Sequence, residues 1–159
     1  MKLIKPMKYT VNSTWAMATA PQPDRLWPSR CLIWHAADPY LYIRTTVEGR
    51  IIAGGEDEEF SNEETRDALI SRKVATIRRK LARMFPDVDT KPEFAWTGCF
   101  GSSDTGLPAI GEIPGAKRCF AVLGYGGNGI TFSMIAAQLT QRAILGLADP
   151  DADLFALPR

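Results

Sequence analysis

The chain has 159 residues, 45% of them hydrophobic and 23% charged, values of one globular domain long enough to bury a substantial core. Nineteen basic against eighteen acidic side chains leave a formal net charge of +1, so no bulk attraction draws the chain to nucleic acid or to an acidic lipid surface. No run approaches the ~20 apolar residues of a membrane helix. A single histidine argues against a histidine-rich metal site. The three scattered cysteines, Cys31, Cys99 and Cys119, have no CxxC spacing, so they read as reduced, mostly buried thiols of a cytoplasmic protein.

Residues 1–12 read as a lead-in. Lys2, Lys5 and Lys8 precede an Ala-Met-Ala-Thr-Ala segment that faintly resembles a cleavage site, but the apolar stretch of a signal peptide is missing. Ser13 to Ala20 has strand-compatible content and ends at the proline loop Pro21–Asp24. Leu32 to Ala36 is a second strand, closed by Asp38–Pro39. Tyr40–Thr46 and Ile51–Gly55 are rich in β-branched and aromatic residues and flank Glu48–Gly49, which predicts a hairpin.

Ser61, with Glu64 three positions on, reads as a capping box that opens a long helix. Ile70, Val74, Ile77, Leu81 and Met84 recur at spacings of three and four, one apolar stripe ending at Pro86. The other face carries Arg66, Arg72, Lys73, Arg78, Arg79, Lys80 and Arg83. With no interleaved aromatics and a nearly neutral chain, that face reads as solvated rather than as a nucleic-acid surface.

Phe94–Phe100 is a further strand with an internal glycine, and Gly101–Gly111 reads as a loop of turn residues. Phe120–Leu123 is a short apolar run expected to be a buried strand. It leads through Gly124-Tyr-Gly-Gly-Asn-Gly129 into a nearly all-apolar helical segment, Ile130–Leu145, with Gly146 as its C-cap. The expected class is α+β: a mainly antiparallel sheet backed by one long amphipathic helix, then a strand, a glycine loop and a buried helix. Residues 1–159 form one domain in this reading, with 13–117 as sheet and helix and 118–147 as the strand–loop–helix unit.

The glycine loop holds the pattern GxGxxG at Gly124, Gly126 and Gly129. Such a loop lets a ligand approach the backbone, and the helix that follows offers N–H groups without intrahelical partners. A dinucleotide-binding βαβ unit also needs a second strand with an acidic residue about 20 positions on. Asp149 and Asp151 stand at that distance in a turn, and only Leu154–Leu157 is left to build a strand. The alternatives are an anion- or dipole-binding corner, or a tight turn whose glycines serve packing alone.

Three segments in register carry a resemblance: LYIRTTVEGRIIAGGEDEEF, WTGCFGSSDTGLPAIGEIPG and CFAVLGYGGNGITFSMIAAQL. From about Ser13 to Leu157 the chain resembles the C-terminal half of the D-amino-acid-oxidase-like FAD-dependent oxidoreductases, the group that includes glycine and sarcosine oxidases. The resemblance implies a substrate domain whose last strand and helix return to the flavin domain. By it, Gly124, Tyr125, Gly126, Gly127, Asn128, Gly129, Ile130 and Thr131 lie against the flavin ring. Gly106 and Pro108, in the loop that matches Asp-x-x-Pro-x-Ile-Gly, border the same FAD.

Tyr42 and Arg44 fall on the strand that faces substrate in relatives, and His35 is a further candidate base. Two departures from the family are expected to matter. The N-terminal Rossmann half is missing, which implies weak FAD binding by this chain alone, a separate Rossmann partner or a homo-oligomer. The arginine that pairs substrate carboxylates in amino-acid oxidases is absent from Thr97–Gly101, so an amine, or an amino acid held by Arg44, is the expected substrate. The competing reading is a family remnant without flavin, acting as a structural, binding or oligomerisation module.

Overall fold

The computed structural model describes residues 8–157. Its elements are β1 (Tyr9–Thr19), β2 (Ile33–His35), β3 (Leu41–Thr45), β4 (Ile51–Glu59), α1 (Glu63–Ala68), α2 (Ile70–Met84), β5 (Pro92–Ser103), β6 (Ala109–Glu112), β7 (Phe120–Leu123) and α3 (Gly129–Ile144). One sheet has the order β2-β3-β4-β1-β5 and a second pairs β6 with β7. This is the expected α+β class, and every pairing with an assigned register is antiparallel. The described residues divide into two compact units, residues 12–99 and the remainder.

In the 12–99 unit, strand alternation sends Trp15 and Met17 of β1, Leu41 and Ile43 of β3, and Ile51 and Ala53 of β4 into one core. Helix α2 covers them with Val74, Ile77 and Leu81. The hairpin forms as its sequence dictates. Gly49 adopts a φ of +88°, its N–H donates to Thr46 O at 3.1 Å, and Thr46 N–H donates to Arg50 O at 2.9 Å. A Cβ at Gly49 would also press to 2.9 Å from the Pro23 backbone, so glycine is required twice over.

Four expectations are corrected among these elements. Strand β1 begins at Tyr9, four residues before the expected start, and β4 runs on to Glu59 to pair the polar Asn12 with Glu59 and Ser13 with Glu58. The helix cap is Asn62, whose Oδ1 accepts from Thr65 N–H at 2.8 Å, one residue past the Ser61 box. The long helix is jointed at Leu69 into α1 and α2. Lys73 is not solvated. Its ammonium is buried over the Trp15 ring at 4.6 Å and donates to Glu56 O and Glu58 Oε1, each at 2.7 Å. Lys80 likewise pairs with Glu56.

In the other unit, β6 lies inside the stretch expected to be loop. Four residues with an internal glycine at φ +156° give too little periodicity to be seen in sequence. Its partner β7 is only half-buried, with Leu123 exposed, because it belongs to a two-stranded sheet. Helix α3 seats Ala136, Phe132, Ile135 and Leu139 on Ile110, Val122 and Phe155. It ends at Gly146 (φ +70°), with Gly146 N–H on Ala143 O and Leu147 N–H on Arg142 O, a Schellman close.

The buried helix expected there is covered on one face alone, since two short strands cannot surround it. Ile130 is 94% exposed. The cysteines are corrected too: Cys31, Cys99 and Cys119 are free and all exposed.

Candidate functional site

Two places gather the candidate residues, one in each unit. The first is the corner between β7 and α3. Gly124 and Gly126 both have positive φ, +70° and +56°, which L side chains rarely adopt. Gly126 N–H donates to Gly101 O at 2.9 Å, and Ser102 bridges to Tyr125, so the end of β5 holds the loop in place.

A Cβ at Gly126 would come to 3.2 Å from Ser102 Oγ, and one at Gly129 to 3.2 Å from the Tyr125 ring. Those three glycines are therefore set by backbone and packing. Gly127 is different: it is exposed and is not among the glycines with positive φ, so backbone conformation does not demand glycine there.

Asn128 is the N-cap of α3, but its side chain makes no capping bond. The first intrahelical bond runs from Phe132 N–H to Asn128 O, which leaves the N–H groups of Gly129, Ile130 and Thr131 without intrahelical acceptors. An open groove beside them is lined by Tyr125, Gly126, Gly127, Gly129 and Ile130. Phe100 and Ser133 complete it, and sequence reasoning missed both. Ser133 lies one turn into an apolar helix, which is the only signal that could have pointed to it.

Asn128 and Thr131 flank the groove in sequence but do not line it. Gly106 sits at φ +73° in the 104–107 turn, and Pro108 is fully buried. Neither reaches the groove lining.

The second place is the face of the five-stranded sheet turned away from α2. Tyr42 pairs with Trp34 on one side and Gly54 on the other, in alternation with the buried Leu41 and Ile43. A side chain at Gly54 would collide with Tyr42 Oη, so that glycine makes room for the phenol. Arg44 stands two residues on, exposed on the same face. His35 pairs with Leu41, which puts it on the opposite face from Tyr42 and Arg44, exposed at the β2 edge.

Two residues here were not singled out from sequence. Tyr40 Oη donates to Asp57 Oδ2 at 2.7 Å. Burial, that hydrogen bond and the Asp57 charge push the Tyr40 phenol well above its ordinary pKa. Burial, and then Asp57, raise Tyr42 as well, against a smaller lowering by Arg44. Both phenols are held as donors.

Among the described residues no group of three or more His, Cys, Asp or Glu could hold a metal, and no helix is long and apolar enough to cross a membrane.

The fold is shared with solved structures. Glycine oxidase from Geobacillus kaustophilus superposes with a TM-score of 0.71 at 21% identity, over 97% of this chain and 40% of that one. Iminodiacetate oxidase from a Chelativorans species gives 0.73 at 15% identity, over 96% and 40%. L-Proline dehydrogenase from P. horikoshii gives 0.69 at 14%, over 95% and 40%. The chain thus spans about 40% of the length of each, and at these identities the likeness is one of fold. No curated protein sequence matches. The sequence profile of the FAD dependent oxidoreductases matches residues 3–143, nearly the whole chain and both places where the candidate residues gather, and the chain belongs to that family.

Proposed function

We propose that the chain supplies the substrate-facing sheet and a flavin-contacting corner of an FAD-dependent oxidoreductase acting on the C–N bond of an amine or amino acid. The observation that carries this reading is the β7–α3 corner. It combines an exposed glycine without backbone need, an aromatic wall and unpaired helix N–H groups on one open groove.

The residues suit a planar, partly apolar ring with a polar edge. Phe100 and the Tyr125 ring offer flat apolar surface. The amides at the start of α3, with the partial positive charge of a helix N-terminus, suit an edge that gains negative charge. Among the described residues no lysine or arginine lines the groove, so their chemistry fits the ring of FAD rather than its pyrophosphate, which other parts of a complete enzyme would cradle.

FAD, when bound, supplies a two-electron acceptor for the hydride on the carbon next to nitrogen. The chain's own residues position and polarise. Gly127 lets the ring approach the backbone. The N–H groups of Gly129 and Ile130, which line the groove, hold its electron-rich edge. Tyr42, kept protonated, donates a hydrogen bond to substrate, and Arg44 offers a charge for a carboxylate where the substrate has one.

The test joins the chain to a flavin-binding half from a family member and compares Gly127→Val with wild type. The expected result is at least a tenfold loss of FAD affinity with the thermal midpoint unshifted, since a β-branched side chain fills the approach without straining the backbone. Unchanged affinity with a midpoint several degrees lower would assign the glycine to packing and overturn the reading.

A further inference from the structure

Helix α2 sorts its basic residues by type. Lys73 and Lys80 turn inward to Glu58 and Glu56, while the exposed basic residues are all arginines: Arg72, Arg78, Arg79 and Arg83. No acidic residue stands anywhere in Ile70–Met84. Arg78 donates to Thr90 O at 3.1 Å, which ties it to the segment after the helix.

The other three arginines form a row. At roughly 100° per residue they fall within about 40° of one another, opposite the buried stripe of Val74, Ile77 and Leu81. The row is about 16 Å long at the helical rise. Its neighbours on that side are Ala75, Thr76 and Ala82, side chains too short to shield a guanidinium.

Little in the fold compensates this charge. Arg72 Nη2 stands 3.9 Å from Glu58 Oε1, a carboxylate that Lys73 already holds at 2.7 Å. Arg79 donates to Thr76 Oγ1 at 3.0 Å. Among the described residues no carboxylate oxygen comes within 4 Å of Arg79 or Arg83. These two are four positions apart, a spacing at which like charges destabilise a helix and at which a solvated face ordinarily pairs opposite ones. A net charge of +1 does not call for such a concentration.

Three features choose the chemistry of a partner. A guanidinium is a planar fork that matches a carboxylate or a phosphate. Ile70–Met84 has no aromatic side chain on which a base could stack. In the chain the row is bounded by exposed carboxylates, Glu63, Glu64 and Asp67 before it and Asp87 and Asp89 after it. A continuous polyphosphate or an anionic membrane would run on over those carboxylates and be repelled, whereas a short acidic segment ends where they begin.

We infer that the row Arg72, Arg79 and Arg83 is a docking surface for an acidic polypeptide segment of a second protein. The segment carries carboxylates spread over about 16 Å, the length of eleven residues of helix or five of strand. Cations at its ends meet the bounding carboxylates and fix its register. The surface belongs to the 12–99 unit and lies opposite the core stripe of α2. It needs neither a cofactor nor the substrate-facing residues.

The experiment titrates the 159-residue chain into a fluorescein-labelled glutamate dodecapeptide and follows anisotropy. A thymidine dodecanucleotide and phosphatidylglycerol vesicles are run beside it. The peptide should bind saturably at low salt, more tightly than either phosphate probe, and at least tenfold more weakly at about 0.15 M NaCl. Replacing Arg72, Arg79 and Arg83 together by glutamine should weaken the peptide at least tenfold without lowering the thermal midpoint, since the three are exposed and a like-charge pair is removed. Arg25→Gln, at an exposed arginine outside the helix, should change affinity less than twofold. Should the triple variant fail to fold, Arg83→Gln alone decides, with a loss of threefold or more expected. No saturable binding of the peptide, tighter binding of the oligonucleotide or the vesicles, or an equal loss from Arg25→Gln would overturn the inference.

Discussion

At the scale of single residues, the paired phenols make a prediction with a definite sign. Tyr40 and Tyr42 are both raised above the ordinary tyrosine value, first by burial and then by Asp57. A group whose folded pKa lies above its unfolded one contributes stability that is complete below the unfolded value, about 10, and is lost as pH climbs through the folded value. Stability should therefore be insensitive to these groups at neutral pH and fall only in the alkaline range. Phenolate absorbance at 295 nm should show two of the four tyrosines ionising late, together with the unfolding transition. Asp57→Asn removes the charge that disfavours phenolate, so it should move the Tyr40 midpoint downward while burial keeps it above ordinary. An unchanged midpoint in that variant would show that burial alone sets the shift. Nothing in the sequence announces this pair. Tyr40 and Asp57 are 17 residues apart, and the irregular β4 register decides which way Asp57 faces.

Among the elements, α2 and the hairpin were legible because each repeats one signal many times. The stripe Val74, Ile77, Leu81 is buried as its spacing demands, and the hairpin turn falls where glycine is needed. The stripe's last member, Met84, is 37% exposed, which separates its energetic role from the others. Ile77→Ala, at a fully buried position, should cost about 2–5 kcal/mol, while Met84→Ala should stay within roughly 0.5 kcal/mol. Urea unfolding of both variants checks the contrast, and equal losses would mean that the helix end is seated more deeply than its exposure indicates.

Elements built from a few residues were less legible. Strand β6 has four residues, and its partner β7 reads as core although it is only half-buried. The cap moved from Ser61 to Asn62 because both side chains can accept the N3 amide and sequence does not say which will. The buried Lys73 was hidden by its type, since a lysine on the charged face of a helix is ordinarily solvated. Of the cofactor-side candidates, Tyr125, Gly126, Gly127, Gly129 and Ile130 line one groove, because a contiguous loop stays together when it folds. Gly106 and Pro108 entered through a resemblance and His35 as the lone histidine on a strand; Gly106 and Pro108 do not line the groove, and His35 lies on the opposite sheet face from Tyr42.

For the whole molecule, the decisive feature is that α3 is apolar on two opposite sides. At roughly 100° per residue, Phe132, Ile135, Ala136 and Leu139 form one stripe, which meets Ile110, Val122 and Phe155. Ile130, Met134, Ile144 and Leu145 fall within about 100° of one another on the other side, and all four are exposed. Large contiguous exposed apolar surface marks an association face, and such a stripe on a helix commonly meets another helix or a sheet. A polypeptide of these 159 residues, purified alone, should therefore self-associate through α3 and retain at most weak FAD, since among the described residues no lysine or arginine lines the corner groove. Light scattering at tens of micromolar should report a dimer or larger species, and the double variant Ile130→Lys with Met134→Lys should be monomeric with an unchanged circular dichroism spectrum. Adding a family flavin-binding half should dissolve the wild-type assembly and raise FAD retention together, because both would draw on the same corner and helix. A strictly monomeric wild-type chain would show that the exposed stripe is tolerated in water. Tight, stoichiometric FAD on that monomer would place the pyrophosphate contacts within these residues and require a different cofactor site from the one proposed.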